Sequence, residues 1–310
     1  MVHLQNYHKH TSYSNVLVSD CTASYEEYVE RATELGHKVI SSVEHGYQGN
    51  YYVPYELVQK HNDKLKKELE EGKITDKDFN ARKLKFVFGA EAYWVKDRIA
   101  ETIPKRDKNT GEIIPGEFAK DRTNCHIILL AKNEEGRRDI NEVLSIANED
   151  GFYGKPRLDI PLLLKIKPEN VMVTTACIKY WEYDDIEEIT EKLHDHFGNN
   201  FFLEIQYHNT EKQRQLNRRI ICLSKKLNIP LIFGYDSHYI TEDQKQERDN
   251  YLEARAIQYD QDEDGWYMDY PDEQEVRRRL KQQGVLSESE IDECIKNTDL
   301  LLDFEDIVLD

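Results

Sequence analysis

Seven short apolar runs, rich in β-branched and aromatic residues, recur along this 310-residue chain, each separated from the next by a longer segment. They fall at residues 2–8, 38–43, 85–90, 126–131, 171–175, 201–206 and 230–235. Between them, 24–35, 134–148, 185–197 and 211–227 read as helices. The first helix carries its own boundary signals: Ser24 and Glu27 form a capping-box pattern, and Gly36 stands where a C-terminal cap belongs. Alternating strands and helices supply the crossovers that parallel strands need, so a largely parallel sheet is expected. Seven such units predict an α/β fold closed as a seven-stranded (βα)7, TIM-like barrel rather than an open sheet.

Two stretches interrupt this rhythm. Residues 56–83 are Lys/Glu-rich and helical in pattern, and 97–122 contain "KNTGEIIPGE", whose Thr-Gly and Pro-Gly pairs signal a hairpin-like insertion. From residue 242 the chain turns to charged helices and the acidic "DQDEDG". The expected organisation is a barrel over 1–241 with a helical C-terminal extension, 242–310, packed on it. No run is long and apolar enough to span a bilayer, and Met1–Gln5 lacks a leader pattern, so a cytoplasmic protein without membrane contact is expected. The formal charge of −18 argues against a broad electrostatic grip on nucleic acid, because polyanion binding rests on Lys and Arg neutralising phosphates. Phosphate chemistry on such a chain needs metal ions or a local basic patch. The five cysteines show no paired spacing that would announce a disulfide framework or a zinc ribbon.

In a βα barrel the active site forms where strands end, which directs attention to the residue after each run. His8 and His10 follow the first, Glu44 and His45 the second, Glu91 the third, Cys177 the fifth, and Asp236 and His238 the seventh. Imidazole, carboxylate and thiolate all bind transition metals. Extended backbone sends residues i and i+2 to one face, so His8 and His10 can share an ion, as can Asp236 and His238. Each of these groups has an ordinary reading alone; their coincidence at strand ends points to a multinuclear metal site. His3, His37, His61, His194, His196 and His208 have no comparable position and are expected to be surface or structural residues.

The ordered motifs "YHKHTSYS", "VEHGYQG", "GAEAYW", "CHIILLAKNEEG", "GFYGKPRLD", "TTACI", "FFLEIQYH" and "GYDSHYI" resemble the PHP (polymerase and histidinol phosphatase) domain, in the version found in the alpha subunit of bacterial DNA polymerase III. The resemblance implies a distorted seven-stranded barrel and a site holding two to three divalent metals: zinc, manganese or iron. It implies nine ligands, His8, His10, Asp20, His45, Glu91, His126, Cys177, Asp236 and His238. Asp20, in the first loop, and His126, at the start of its strand, rest on the resemblance alone. By the same analogy His8, His10, Glu91 and Asp236 hold one ion, Glu91 bridges to a second held by His126 and Cys177, and Asp20, His45 and His238 hold the third. Glu44 replaces the aspartate usual before that histidine and is expected to orient a ligating imidazole.

Clustered metals activate water and offset charge on phosphate oxygens, so phosphoester hydrolysis is the expected chemistry, with His8, His10, Glu91, Asp236 and His238 at its centre. Lys155 and Arg157 are candidates for binding substrate phosphate. The leading expectation is a metal-dependent 3′–5′ exonuclease or DNA phosphodiesterase acting on single-stranded DNA or a 3′ end, alone or with replicative polymerase subunits. The alternatives are a phosphomonoesterase of a phosphorylated small molecule, or a non-catalytic, metal-stabilised module of a replicative polymerase. A chain of this length leaves no room for polymerase activity.

Overall fold

A computed structural model of the chain describes residues 4–107, 110, 112–121, 125–182, 185–257 and 265–309. Val2, His3 and most of the acidic stretch around residue 260 lie outside them. The strands are β1 (Val39–Ser42), β2 (Lys85–Trp94), β3 (Thr102–Arg106), β4 (Ile113–Lys120), β5 (Cys125–Ala131), β6 (Arg157–Leu158), β7 (Val171–Thr175), β8 (Phe201–Ile205) and β9 (Leu231–Phe233). The helices are α1 (Tyr25–Leu35), α2 (Tyr52–Glu70), α3 (Asp76–Arg82), α4 (Glu134–Glu149), α5 (Ile160–Leu163), α6 (Ile186–Phe197), α7 (Glu211–Leu227), α8 (Lys245–Ala254), α9 (Glu273–Gln283) and α10 (Glu288–Asn297). Helix α1 begins and ends as its sequence predicts: Ser24 and Glu27 form a complete capping box, and Gly36 closes it in the left-handed conformation.

One mixed sheet dominates, in the order β1-β2-β5-β7-β8-β9 with β6 beside β2. Six of the seven expected runs lie in it. The described part of the run at 2–8, residues 4–8, does not form a ladder, so the sheet is a curled half barrel rather than a ring of seven paired strands. The reason is local. Side chains take the partners that a neighbouring backbone would supply: Gln5 Oε1 accepts from the Lys38 and Val39 amides, and Ser41 Oγ donates to the Tyr7 carbonyl. On the other side, His10 N donates to Ser237 O and Ser237 N to His8 O. The N-terminal segment thus lies between β1 and the end of β9, held by side chains and a single bridge.

The sheet also departs from parallel. β5 runs antiparallel to both β2 and β7, while β1, β6, β8 and β9 pair parallel with their neighbours. Trp94 at the end of β2 lies opposite Cys125 at the start of β5, so β2 and β5 form a long hairpin whose connection contains the exposed β3–β4 pair.

Side-chain alternation divides the two faces of the sheet. Ile40, Phe86, Ile127, Leu129, Val173, Leu203 and Phe233 belong to the outer core beneath the helices. Val39, Val87, Ile128, Leu130, Met172, Phe202 and Ile232 fill the inside of the curl, where Leu301 and Phe304 join them. Continuing along the inner face by steps of two leads from Val87 to Glu91, from Ile128 to His126, from Phe202 to Glu204 and from Ile232 to Asp236. The interior is apolar at one end and ionisable at the other. Beyond β9, Asn297 on α10 donates to the Leu231 carbonyl, and Thr298 Oγ1 accepts from the Gln5 amide.

Candidate metal centre

The ionisable end of the curl gathers residues separated by more than two hundred positions. His8 and His10 are completely buried, and their Nε2 atoms lie 3.2 and 3.3 Å from Asp236 Oδ1 and 3.4 and 3.8 Å from the Glu91 carboxylate. Ligand atoms set about 2.0–2.1 Å from one tetrahedral ion lie about 3.4 Å apart, which is the spacing seen here. The Nε2 atoms of His8, His10, His45 and His126 are buried and have no hydrogen-bond partner among the described residues. Leaving four such atoms unsatisfied costs about 1–3 kcal/mol each, so a cation accounts for them where protein atoms do not.

The opposite ring nitrogens are anchored. His8 Nδ1 lies 2.9 and 3.0 Å from the two oxygens of Glu204, a buried carboxylate that also accepts from Tyr7 Oη and Gln206 Nε2. His10 Nδ1 meets Ser14 Oγ at 3.2 Å, and Ser14 in turn donates to Glu44. Glu44 also accepts from Thr11 Oγ1 and Tyr25 Oη, so it reaches His10 through Ser14 rather than touching an imidazole ring. His238 Nδ1 donates to the Asp236 carbonyl. Such outer contacts fix which nitrogen faces a metal.

Glu91 is the hub. Its Oε1 lies 2.8 Å from His126 Nδ1, and its Oε2 contacts His45 Nδ1. His126 reaches it from the start of β5 because that strand is reversed, which brings its first residues to the end where β2 finishes. His45 arrives on the segment after β1, which keeps alongside β2: Gly46 N donates to the Glu91 carbonyl. Gly46 has φ +70, and a Cβ there would stand 2.5 Å from the Tyr93 ring, so the close approach requires glycine. Cys177 Sγ accepts from the His126 amide at 3.2 Å.

Asp20 Oδ1 lies 3.7 Å from His45 Nε2, and its Oδ2 lies 3.5 Å from His238 Nε2. Asp236 and His238 therefore face different groups, contrary to the alternation expected of extended backbone. The cause is the left-handed φ of 51 at Asp236, which turns the chain between them. Among the described residues, three groups have the makings of metal sites: His8, His10 and Asp236; His10, His45 and Glu91; and Asp20, Cys21, His45 and His238.

Burial would drive these groups towards neutrality, and pairing overrides it. Burial lowers and Glu91 raises both His45, which ends at about 10, and His126, at about 9. His8 is likewise held high by Glu204 and Asp236 against its burial. Against the opposing effect of burial, His126 and His45 hold Glu91 well below the usual carboxylate range, His8 does so for Asp236, and His238 for Asp20. His10, depressed by burial and then by His45, falls to about 3. Without metal the centre pairs buried carboxylates with the imidazoliums of His8, His45 and His126, while His10 stays neutral.

A cleft of about 580 Å³ opens onto this array, lined by Asp20, His45, His126, Cys177, Asp236 and His238 together with Lys155, Lys179, Lys212 and Trp266. Lys155 stands at the cleft with its ammonium 4.3 Å from the Tyr93 ring centroid. Arg157 does not belong there. It is 3% exposed, and its guanidinium donates to the carbonyls of Gly151, Ala100 and Arg98 and pairs with the buried Asp121 carboxylate, so its fork is spent within the fold rather than on a phosphate. Sequence reasoning also missed Glu204, which sits inside a run that reads as ordinary strand, and Cys21, beside Asp20. His37 and His208 prove buried; His208 stacks on Trp266 at 3.9 Å, against the wall of the cleft.

A profile of the PHP domain matches residues 6–208. DNA polymerase III subunit alpha of Aquifex aeolicus is 29% identical over 252 residues, covering 79% of this chain and 19% of the relative. The same subunit of Borreliella burgdorferi is 30% identical over 168 residues, 52% of this chain and 13% of the relative. Probable DNA polymerase YorL of Bacillus subtilis is 24% identical, with 95% of this chain and 24% of the relative covered. The chain spans a quarter or less of the length of these relatives.

Proposed function

The chain belongs to the PHP domain family of metal-dependent phosphoesterases, and from that premise we propose that it hydrolyses phosphodiesters of DNA, as a 3′–5′ exonuclease, at a centre of two to three divalent metals. The observation that carries the proposal is the set of four buried imidazole nitrogens that have no hydrogen-bond partner among the described residues. His8, His10, Glu91 and Asp236 would hold one ion, His126, Cys177 and Glu91 a second, and Asp20, His45 and His238 a third. Bound divalent ions supply a nucleophile at neutral pH and offset the charge that develops on phosphate oxygens. The chain's own residues do the rest. Glu204, Ser14 and the Asp236 carbonyl hold His8, His10 and His238 in the orientation that presents Nε2 inward. Lys155, Lys179 and Lys212 give the cleft cationic character in a chain whose net charge is −18. The described residues contain no helix long and apolar enough to cross a membrane. Relatives named as DNA polymerase subunits support a setting in DNA replication, with replicative polymerase subunits as partners.

Hydrolysis assays on single-stranded DNA, duplex DNA and p-nitrophenyl phosphate, with manganese or zinc added to stripped protein, test this reading. Metal-stimulated release of mononucleotides from a 3′ end supports it. The acidic balance favours a second reading, a phosphomonoesterase of a small metabolite, because a small anion needs no extended basic track. Hydrolysis of the monoester alone would establish that reading in place of the first.

A further inference from the structure

We propose that Cys21 is a metal ligand and completes a four-coordinate Asp20–Cys21–His45–His238 site. The inference rests on the metal centre of the preceding section but not on the reaction assigned to it. The ligand atoms of these four buried residues all lie within 4.8 Å of one another. Cys21 Sγ is 3.1 Å from Asp20 Oδ1, the same oxygen that faces His45 Nε2. His45 Nε2 is itself buried and has no hydrogen-bond partner among the described residues, so the group encloses a polar atom that awaits a ligand.

The backbone that presents the thiol is clamped. Asn15 Oδ1 accepts from the amides of both Asp20 and Cys21 at 3.0 Å, and Asn15 Nδ2 donates to the Cys21 carbonyl at 2.8 Å. Arg248 Nε donates to the Asp20 carbonyl. With the peptide units fixed on both sides, the Asp20 carboxylate and the Cys21 thiol are delivered together to His45 and His238. Metal entry converts the Cys21 S–H into a sulfur–metal bond, and the displaced proton passes to solvent.

A thiolate donor beside two imidazoles and a carboxylate would favour zinc over manganese there.

The test uses full-length protein stripped of metal and titrated with cobalt(II) alone. Thiolate ligation gives a near-ultraviolet charge-transfer band and four-coordination an intense visible spectrum. Because Cys177 is a second candidate thiolate, the Cys177→Ser protein is the reference. It should keep a charge-transfer band, the further change Cys21→Ser should abolish that band, and Cys294→Ser, at a buried cysteine elsewhere, should leave it intact. Cys21→Ser alone should weaken one class of bound zinc by about 10-fold or more, with the circular dichroism spectrum unchanged. A band that is already absent in Cys177→Ser, or that survives in the double variant, overturns the inference. Failure of DNA hydrolysis with a Cys21-dependent band would overturn the proposed reaction and leave this site standing.

Discussion

At the scale of single residues, Glu204 is the test of how the centre is oriented. Its carboxylate holds His8 Nδ1, and the backbone just beyond β9 makes room for it: a Cβ at Gly234 would stand 2.1 Å from Glu204 Cδ. Glu204→Gln keeps the shape and removes the charge that fixes the imidazole, and loss of such an outer contact costs about 10–100-fold in metal affinity or activity. Zinc competition titration should show that loss with little change in fold. Glu204 was not legible from sequence because a strand interior normally carries apolar or solvent-facing residues, and its role depends on a histidine 196 positions away. His8, His10, Glu91 and Asp236 were legible because strand ends in this class of fold are where function gathers.

At the scale of elements, the segment around β6 separates two cations that look alike in "GKPRLD". Arg157→Ala leaves three backbone carbonyls without their donor, removes the cation that faces the buried Asp121 carboxylate, and opens a cavity in their midst. It should cost about 3 kcal/mol, seen as a lower melting temperature, because broken buried polar networks cost that much. Lys155→Ala should leave the melting temperature nearly unchanged and raise KM for a phosphorylated substrate, as expected of a cation lining the cleft. The outcome follows from where the arginine points, which sequence alone could not supply. The reversed direction of β5 was equally hidden: its apolar alternation reads the same in both directions, and only the antiparallel register, which pairs His126 with Tyr93, brings its Nδ1 to 2.8 Å from Glu91.

At the scale of the molecule, pairing within the centre makes stability depend on both metal and pH. In the metal-free protein His45 and His126 are raised to about 10 and about 9, above the ordinary value of 6.5. Their contribution is fully present below pH 6.5 and is lost as pH rises through 9 to 10. The depressed carboxyls Glu91, Asp20 and Asp236 act in the opposite sense: their contribution is present above the ordinary carboxylate range and is lost as pH falls. Melting temperatures of stripped protein should therefore decline on both sides. In loaded protein the ligating imidazoles carry no proton on the ligating nitrogen, so the alkaline decline should shrink and the acid decline should sharpen as protons compete with metal. The half-barrel architecture allows this coupling, because the centre ties the N-terminal segment, which backbone pairing holds by a single bridge, to the β2–β5 hairpin and the end of β9.

The central claim is that the buried imidazoles exist to hold several metal ions. Elemental analysis of the purified chain, without chelators or a metal-affinity tag, tests it directly. The expected result is two to three equivalents of zinc, manganese or iron per chain, reduced by at least one in protein carrying His8→Ala and His10→Ala. Folded protein that holds no transition metal, and takes up none when zinc or manganese is supplied, would contradict the account.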